Sequence, residues 1–112
     1  MTRLTAAIMA SSLIRRTQIE GGSAVVVCKG DPTSGAILVL CLEKGRNSAL
    51  CERLLTPQGT YGWQRTGPQD IDNIEEVSRY IERRTSRDPD LWVLELDIPN
   101  AERLIAETGV ED

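Results

Sequence analysis

Three small groups of residues have the types and spacing to do chemistry or to recognise something. Tyr61, Trp63 and Arg65 alternate along Tyr61-Gly62-Trp63-Gln64-Arg65, so in an extended segment they point the same way. Aromatic rings beside an arginine are the composition of interface hot spots, and also of stacking platforms for single-stranded nucleic acid. In a chain without Phe, Trp63 has a second use: it can cover the end of an aliphatic core. Asp88 and Asp90 flank Pro89, and Glu95 and Asp97 share a parity in a regular strand. Converging carboxylates could do acid–base work or hold a divalent cation; turn formation, capping and a strand face emerging into water account for the same residues. Arg15 and Arg16 close an acid-free opening segment, where they could bind an anion or simply complement the C-terminal end of a helix dipole.

Composition excludes several mechanisms. With no His among 112 residues, triads with an imidazole base, histidine zinc sites and histidine pH switches are ruled out. Cys28, Cys41 and Cys51 are an odd count without a Cys-x-x-Cys pair, so neither a zinc knuckle nor a disulfide framework fits. Each lies in an apolar run, as a buried, reduced core thiol does, and this points to a reducing, cytoplasmic compartment. Gly30-Asp31-Pro32-Thr33-Ser34-Gly35 is bounded by glycines but lacks the P-loop lysine and precedes a strand pattern, so it reads as a turn. No cofactor and no metal is expected. The net charge of −4 is unfavourable for generic nucleic-acid binding. The charge is uneven, however: the first 56 residues carry seven basic and four acidic side chains, the remaining 56 six and thirteen. No stretch approaches 18 uninterrupted apolar residues, so no membrane partner is expected.

The elements that would position these residues follow from periodicity. Leu, Ile and Val number 28, a quarter of the chain, enough for a folded domain, and the length suits a single one spanning 1–112. Residues 3–20 are expected to form a helix, with Leu4, Ala7, Ile8, Ser11 and Ile14 on one face, widened by Ala6, Met9 and Leu13. Ser11 and Ser12 interrupt its apolar run, so it reads as part of the fold and not as a targeting peptide. Gly21-Gly22 ends it. Runs at 24–29, 36–43 and 48–55, separated by turn chemistry, read as an antiparallel meander continued by 61–65. The run Ala36–Glu43 is apolar at both parities and must be the sheet centre, covered on both faces. A helix follows Gly67-Pro68, carrying Ile71, Ile74, Val77 and Ile81, with Asp70 or Asp72 as its cap and Glu75–Arg79 as an i,i+4 pair. Residues 91–98 are a last strand, open to parallel pairing because a crossover helix precedes it. Leu104 and Ile105 face inward from a short closing helix. The expected fold is α+β: a mostly antiparallel, mixed five-stranded sheet with helices on both faces, in the order α-β-β-β-β-α-β-α.

Leu13-Ile14-Arg15-Arg16, Gly21-Gly22 before Ala24-Val25-Val26, Lys29-Gly30-Asp31, Ser34-Gly35-Ala36-Ile37-Leu38 and Asp88-Pro89-Asp90-Leu91-Trp92-Val93-Leu94-Glu95 together resemble a family of small alphaproteobacterial proteins catalogued only as a domain of unknown function. The resemblance runs in order from about Arg3 to Ile105, and its most specific segment is DPDLWV. It implies a bacterial cytoplasmic single-domain protein and carries no catalytic residues with it. The expected function is a non-enzymatic interaction module that binds an unknown protein partner through Tyr61, Trp63 and Arg65. One alternative is a nucleic-acid accessory protein using the basic first half with Arg15 and Arg16. Another is a small hydrolase using Asp88, Asp90 or Glu95. A sheet edge could also pair with a second copy to form a homodimer.

Overall fold

Two apolar ribbons decide the architecture of residues 4–108, the part of the chain that the computed structural model describes. They are β2 (Ile37–Glu43) and β5 (Trp92–Asp97), and both are buried along most of their length. They lie side by side and parallel, Val39 opposite Leu94 and Cys41 opposite Leu96. Parallel pairs need cover on both faces, which puts these strands inside the sheet. The sheet is completed by β1 (Ser23–Cys28), β3 (Arg46–Leu55) and β4 (Tyr61–Arg65), in the order β1-β5-β2-β3-β4 with every other pairing antiparallel.

The meander expected from the first three runs therefore holds only for β2, β3 and β4. The chain leaves β1, an edge strand, and reaches β2 two places away, and β5 later fills the gap. The difference follows from burial: β1 is mostly exposed, whereas β5 is apolar enough to sit inside the sheet.

Three helices cover the sheet: α1 (Ala6–Ile19) and α3 (Ala101–Glu107) on one face, α2 (Ile74–Arg87) on the other. The α1/α3 face holds Ile37, Val39, Cys41, Trp92, Leu94 and Leu96; the α2 face holds Leu38, Leu40, Leu50, Val77, Leu91 and Val93. Leu38 and Leu94 are fully buried, and truncating either to Ala would cost about 2–5 kcal/mol.

Local details depart from the sequence expectation in three places. In α1 the buried stripe is Ala6, Met9, Ala10, Leu13 and Thr17, rotated from the expected one, and Ile8 is 51% exposed. The rotation is set at the helix start. Thr5 caps the Ile8 N–H (3.3 Å), and the free amides of Ala6 and Ala7 donate to the carbonyls of Thr33 (3.1 Å) and Pro32 (2.9 Å). The cap of α2 is Asn73, which accepts from the Glu76 N–H at 3.1 Å; Asp70 instead accepts from the Asp72 N–H, shaping the preceding turn. The β2–β3 turn is Lys44-Gly45, both with positive φ (52° and 80°), one residue earlier than expected and of the kind that matches strand twist.

Candidate functional site

Tyr61, Trp63 and Arg65 do share one face of β4, an edge strand, on the α1/α3 side of the sheet. Their neighbours engage them. Arg53, opposite Trp63 in register and itself buried, lays its guanidinium 3.9 Å from the Tyr61 ring centroid and donates to the Leu4 carbonyl at 3.0 Å. Trp63 is half-buried and packs against the core. Arg65 grips Glu102 of α3 with two hydrogen bonds, Nε to Oε2 at 2.8 Å and Nη2 to Oε1 at 2.6 Å, which hold the Glu102 carboxyl below its ordinary range. The trio thus knits β4 to β3 and α3. Arg16 lies elsewhere, bonded to Glu20 (2.8 Å) and Glu107 (3.0 Å), while its neighbour Arg15 is exposed. Arg84 and Arg103 are also paired to carboxylates.

The carboxylates are dispersed in the same way. Asp88 accepts from the Asp90 N–H at 3.0 Å, and its carbonyl accepts from the Leu91 N–H, so the pair builds a turn. Asp97 accepts from the Lys44 and Gly45 amides, both at 2.8 Å, and clamps the β2–β3 turn. Glu95 lies further along, within β5, while Asp90 belongs to the turn before it. Among the described residues no cluster of three His, Cys, Asp or Glu is placed to hold a metal. All three cysteines are free. Cys41 and Cys51 lie on neighbouring strands beneath α3; hydrogen bonding to Cys51, then burial, pushes the Cys41 thiol up.

The feature that sequence reasoning missed is on the other face. Helix α2 leans toward β3 and β4: Arg84 forks onto the nearly buried Glu52 (2.9 and 2.6 Å), and the Tyr80 hydroxyl, 2.8 Å from Arg84, lies 2.8 Å from the Thr66 hydroxyl. Beside it, over β1, β5 and Leu40 and Leu42 of β2, runs an open groove of about 550 Å³. Its lining includes Val27 and Cys28 of β1, Ile74, Ile81 and Glu82 of α2, and Glu95 of β5, with no lysine or arginine. Val25 and Val27 are 53% and 46% exposed and Ile74 68%. The signal in the sequence was Val25-Val26-Val27, an apolar run without alternation in a strand that proves to be an edge.

A family model described as a protein of unknown function, DUF1491, matches residues 4–106. The chain belongs to the DUF1491 family. Solved structures agree. A solution structure of protein Atu0922 from A. tumefaciens is 28% identical, with a TM-score of 0.75 over 92% of each chain. Two structures of a DUF1491 family protein from Caulobacter crescentus are each 29% identical. The crystal structure has a TM-score of 0.77 over 96% of this chain and 99% of that one, and the NMR structure 0.79 over the whole of both. No curated protein matches.

Within this DUF1491 fold, three of the segments that carried the resemblance, those around Gly30, Gly35 and Asp90, meet at one junction. A Cβ on Gly30 or on Gly35 would lie 2.2 Å from the Asp90 carbonyl oxygen. That oxygen accepts from the Asp31 N–H at 3.0 Å, and the Trp92 indole donates to the Asp31 carbonyl at 2.7 Å. The Asp31 carboxylate, held below its ordinary range by the Ser34 and Thr33 amides, closes the turn. The 30–35 loop also receives the first amides of α1. DPDLWV is thus the seat of a loop that orients a helix, which is a reason rooted in folding for those residue types.

Proposed function

We propose that this DUF1491 chain is a non-enzymatic, cytoplasmic interaction module that docks a protein partner in the groove between α2 and the β1 edge. The supporting observation is the asymmetry of cover. One face of the sheet carries two helices; the other carries one, displaced toward β3, beside exposed Val25, Val27 and Ile74. Contiguous apolar surface beside an open groove is the physical mark of an interaction site. The cytoplasmic assignment is supported by three free thiols, as in a reducing compartment. No helix among the described residues is long and apolar enough to cross a membrane.

The test is site-specific photo-crosslinking in the native cell, with the photoreactive residue at Val27, at Gln64 beside the β4 trio, or at Arg83 on the outer face of α2. A discrete protein adduct from position 27, absent from 64 and 83, is expected. Adducts from 64 alone would move the docking surface to Tyr61, Trp63 and Arg65. No adduct from 27 would overturn the groove reading.

A further inference from the structure

Resting on that reading, we infer that the groove's occupant is an amphipathic helix of a partner protein, with an apolar stripe flanked by Lys or Arg. Strand spacing decides the shape. Five strands about 4.8 Å apart span roughly 19 Å between outer axes, and a helix with side chains is about 10 Å across. Each face therefore has room for two helices side by side. On one face α1 packs over β1 and β5 while α3 packs over β2; on the other, α2 is the one helix among the described residues, tied to β3 through Glu52 and packed with Leu40 and Val93, and the side of that face toward β1 is left open. The uncovered lane has helix width. Its long side is the α2 flank of Ile74 and Ile81, spaced seven residues apart, which is the repeat that a second helix meets.

Charge sets the second requirement. Glu82 stands on the α2 side of the lane and Glu95 on its floor, with no basic residue among the lining, so a cationic flank is favoured and an acidic one repelled. The chain's own helices do not meet the description: α2 shows Glu75, Arg79 and Arg83 outward, and the apolar stripes of α1 and α3 are buried in the core.

The experiment titrates isotope-labelled protein, by backbone amide NMR, with three synthetic 16-residue peptides. The first has a leucine stripe at helical spacing with Lys flanks, the second the same stripe with Glu flanks, and the third is the first with its order scrambled to period two. Expected are shifts confined to Val25, Val27, Cys28, Ile74, Ile81 and Glu95 for the first peptide, and binding about tenfold weaker for the second, as two partly screened ion pairs imply. Replacing both acids, E82Q with E95Q, should erase that preference while leaving the fold intact. Equal affinity of the first two peptides would overturn the charge requirement. Preference for the scrambled peptide at the same residues would overturn the helix while leaving the docking surface standing. Shifts elsewhere, or a concentration-dependent doubling of mass that closes the groove with a second copy, would overturn the inference altogether.

Discussion

Adding a single methyl group at Gly35 tests whether the junction beneath DPDLWV holds the fold together. In Gly35→Ala the new Cβ meets the Asp90 oxygen at 2.2 Å, the Asp31 oxygen at 3.1 Å and the Asp31 nitrogen at 3.2 Å. Every one of these atoms is backbone, so no side chain can swing aside, and the Asp90 carbonyl must retreat by about 1 Å. Overpacking of this kind costs about 1–3 kcal/mol. The retreat also strains the 3.0 Å bond from the Asp31 N–H, a further 0.5–1.5 kcal/mol or so. Against this, alanine stiffens the unfolded chain by about 0.4–1 kcal/mol. The net loss is about 2–3 kcal/mol, or roughly 10 °C in melting temperature. Gly45→Ala, with nothing within 4 Å but φ at +80°, should cost only about 1 kcal/mol. Because Gly30 presses on the same carbonyl, the double variant Gly30→Ala/Gly35→Ala should lose less than the sum of its parts by about 0.5 kcal/mol or more. Urea unfolding followed by Trp92 fluorescence in a Trp63→Phe background measures the parent, the three single variants Gly30→Ala, Gly35→Ala and Gly45→Ala, and the double variant. If Gly35→Ala lies within about 0.5 kcal/mol of its parent, or the pair is additive, the junction does not act as one packed unit.

Four further outcomes follow from the contacts above. Arg84→Met strands the carboxylate of Glu52, which is 9% exposed, and should cost about 2 kcal/mol in chemical denaturation, below the fully buried range because Arg84 is partly solvated; adding Glu52→Leu should restore most of it, and a double variant as weak as the single would contradict this. The Arg65 grip depresses the Glu102 carboxyl, so its stabilisation is fully present above the unfolded value near pH 4.3 and is lost as pH falls through the lower folded value. Arg65→Gln should therefore flatten the fall in stability toward acid, and parallel curves for the two proteins over pH 3–6 would refute the coupling. A thiol reagent should modify half-buried Cys28 first and reach Cys41 and Cys51 only on unfolding; rapid modification of all three in the native state would show the α3 seam to be open. Trp63→Ala should cost about 2 kcal/mol of stability, being half-buried against the core, yet leave Lys-flanked peptide binding unchanged, and a lost affinity would return β4 to the binding surface.

The central ribbon was legible because both parities of Ile37–Leu42 are apolar, which is a local property. Parallel pairing of the last strand was legible from the helix before it. The place of β1 was not, since nothing within Ser23–Cys28 states which strand lies beside it; that depends on β5, which arrives some seventy residues later. The rotation of α1 was hidden for a related reason: periodicity weighs Ile8 above Ala6 and Ala10, whereas the small residues let the helix approach the sheet and the amides of Ala6 and Ala7 reach Pro32 and Thr33. Tyr61, Trp63 and Arg65 were correctly placed on one face, but Arg53 lies 8 residues from Tyr61 in the chain and Glu102 lies 37 from Arg65, so their engagement could not be read from spacing.

Why the α2 lane and not the β4 face should bind can be argued from what each surface would gain. At β4 a partner must displace Arg53 from Tyr61 or Arg65 from Glu102, and each displaced charge-assisted bond offsets what the new contact provides. In the lane, Val25, Val27 and Ile74 have only water to lose. Burying apolar surface there yields about 25 cal/mol per Å², so three such side chains, each about half covered on binding, contribute on the order of 3 kcal/mol before Glu82 and Glu95 select the charge of what covers them. An edge strand bearing three consecutive valines with neither proline nor charge among them is costly to leave open, and α1 answers that exposure on one face only.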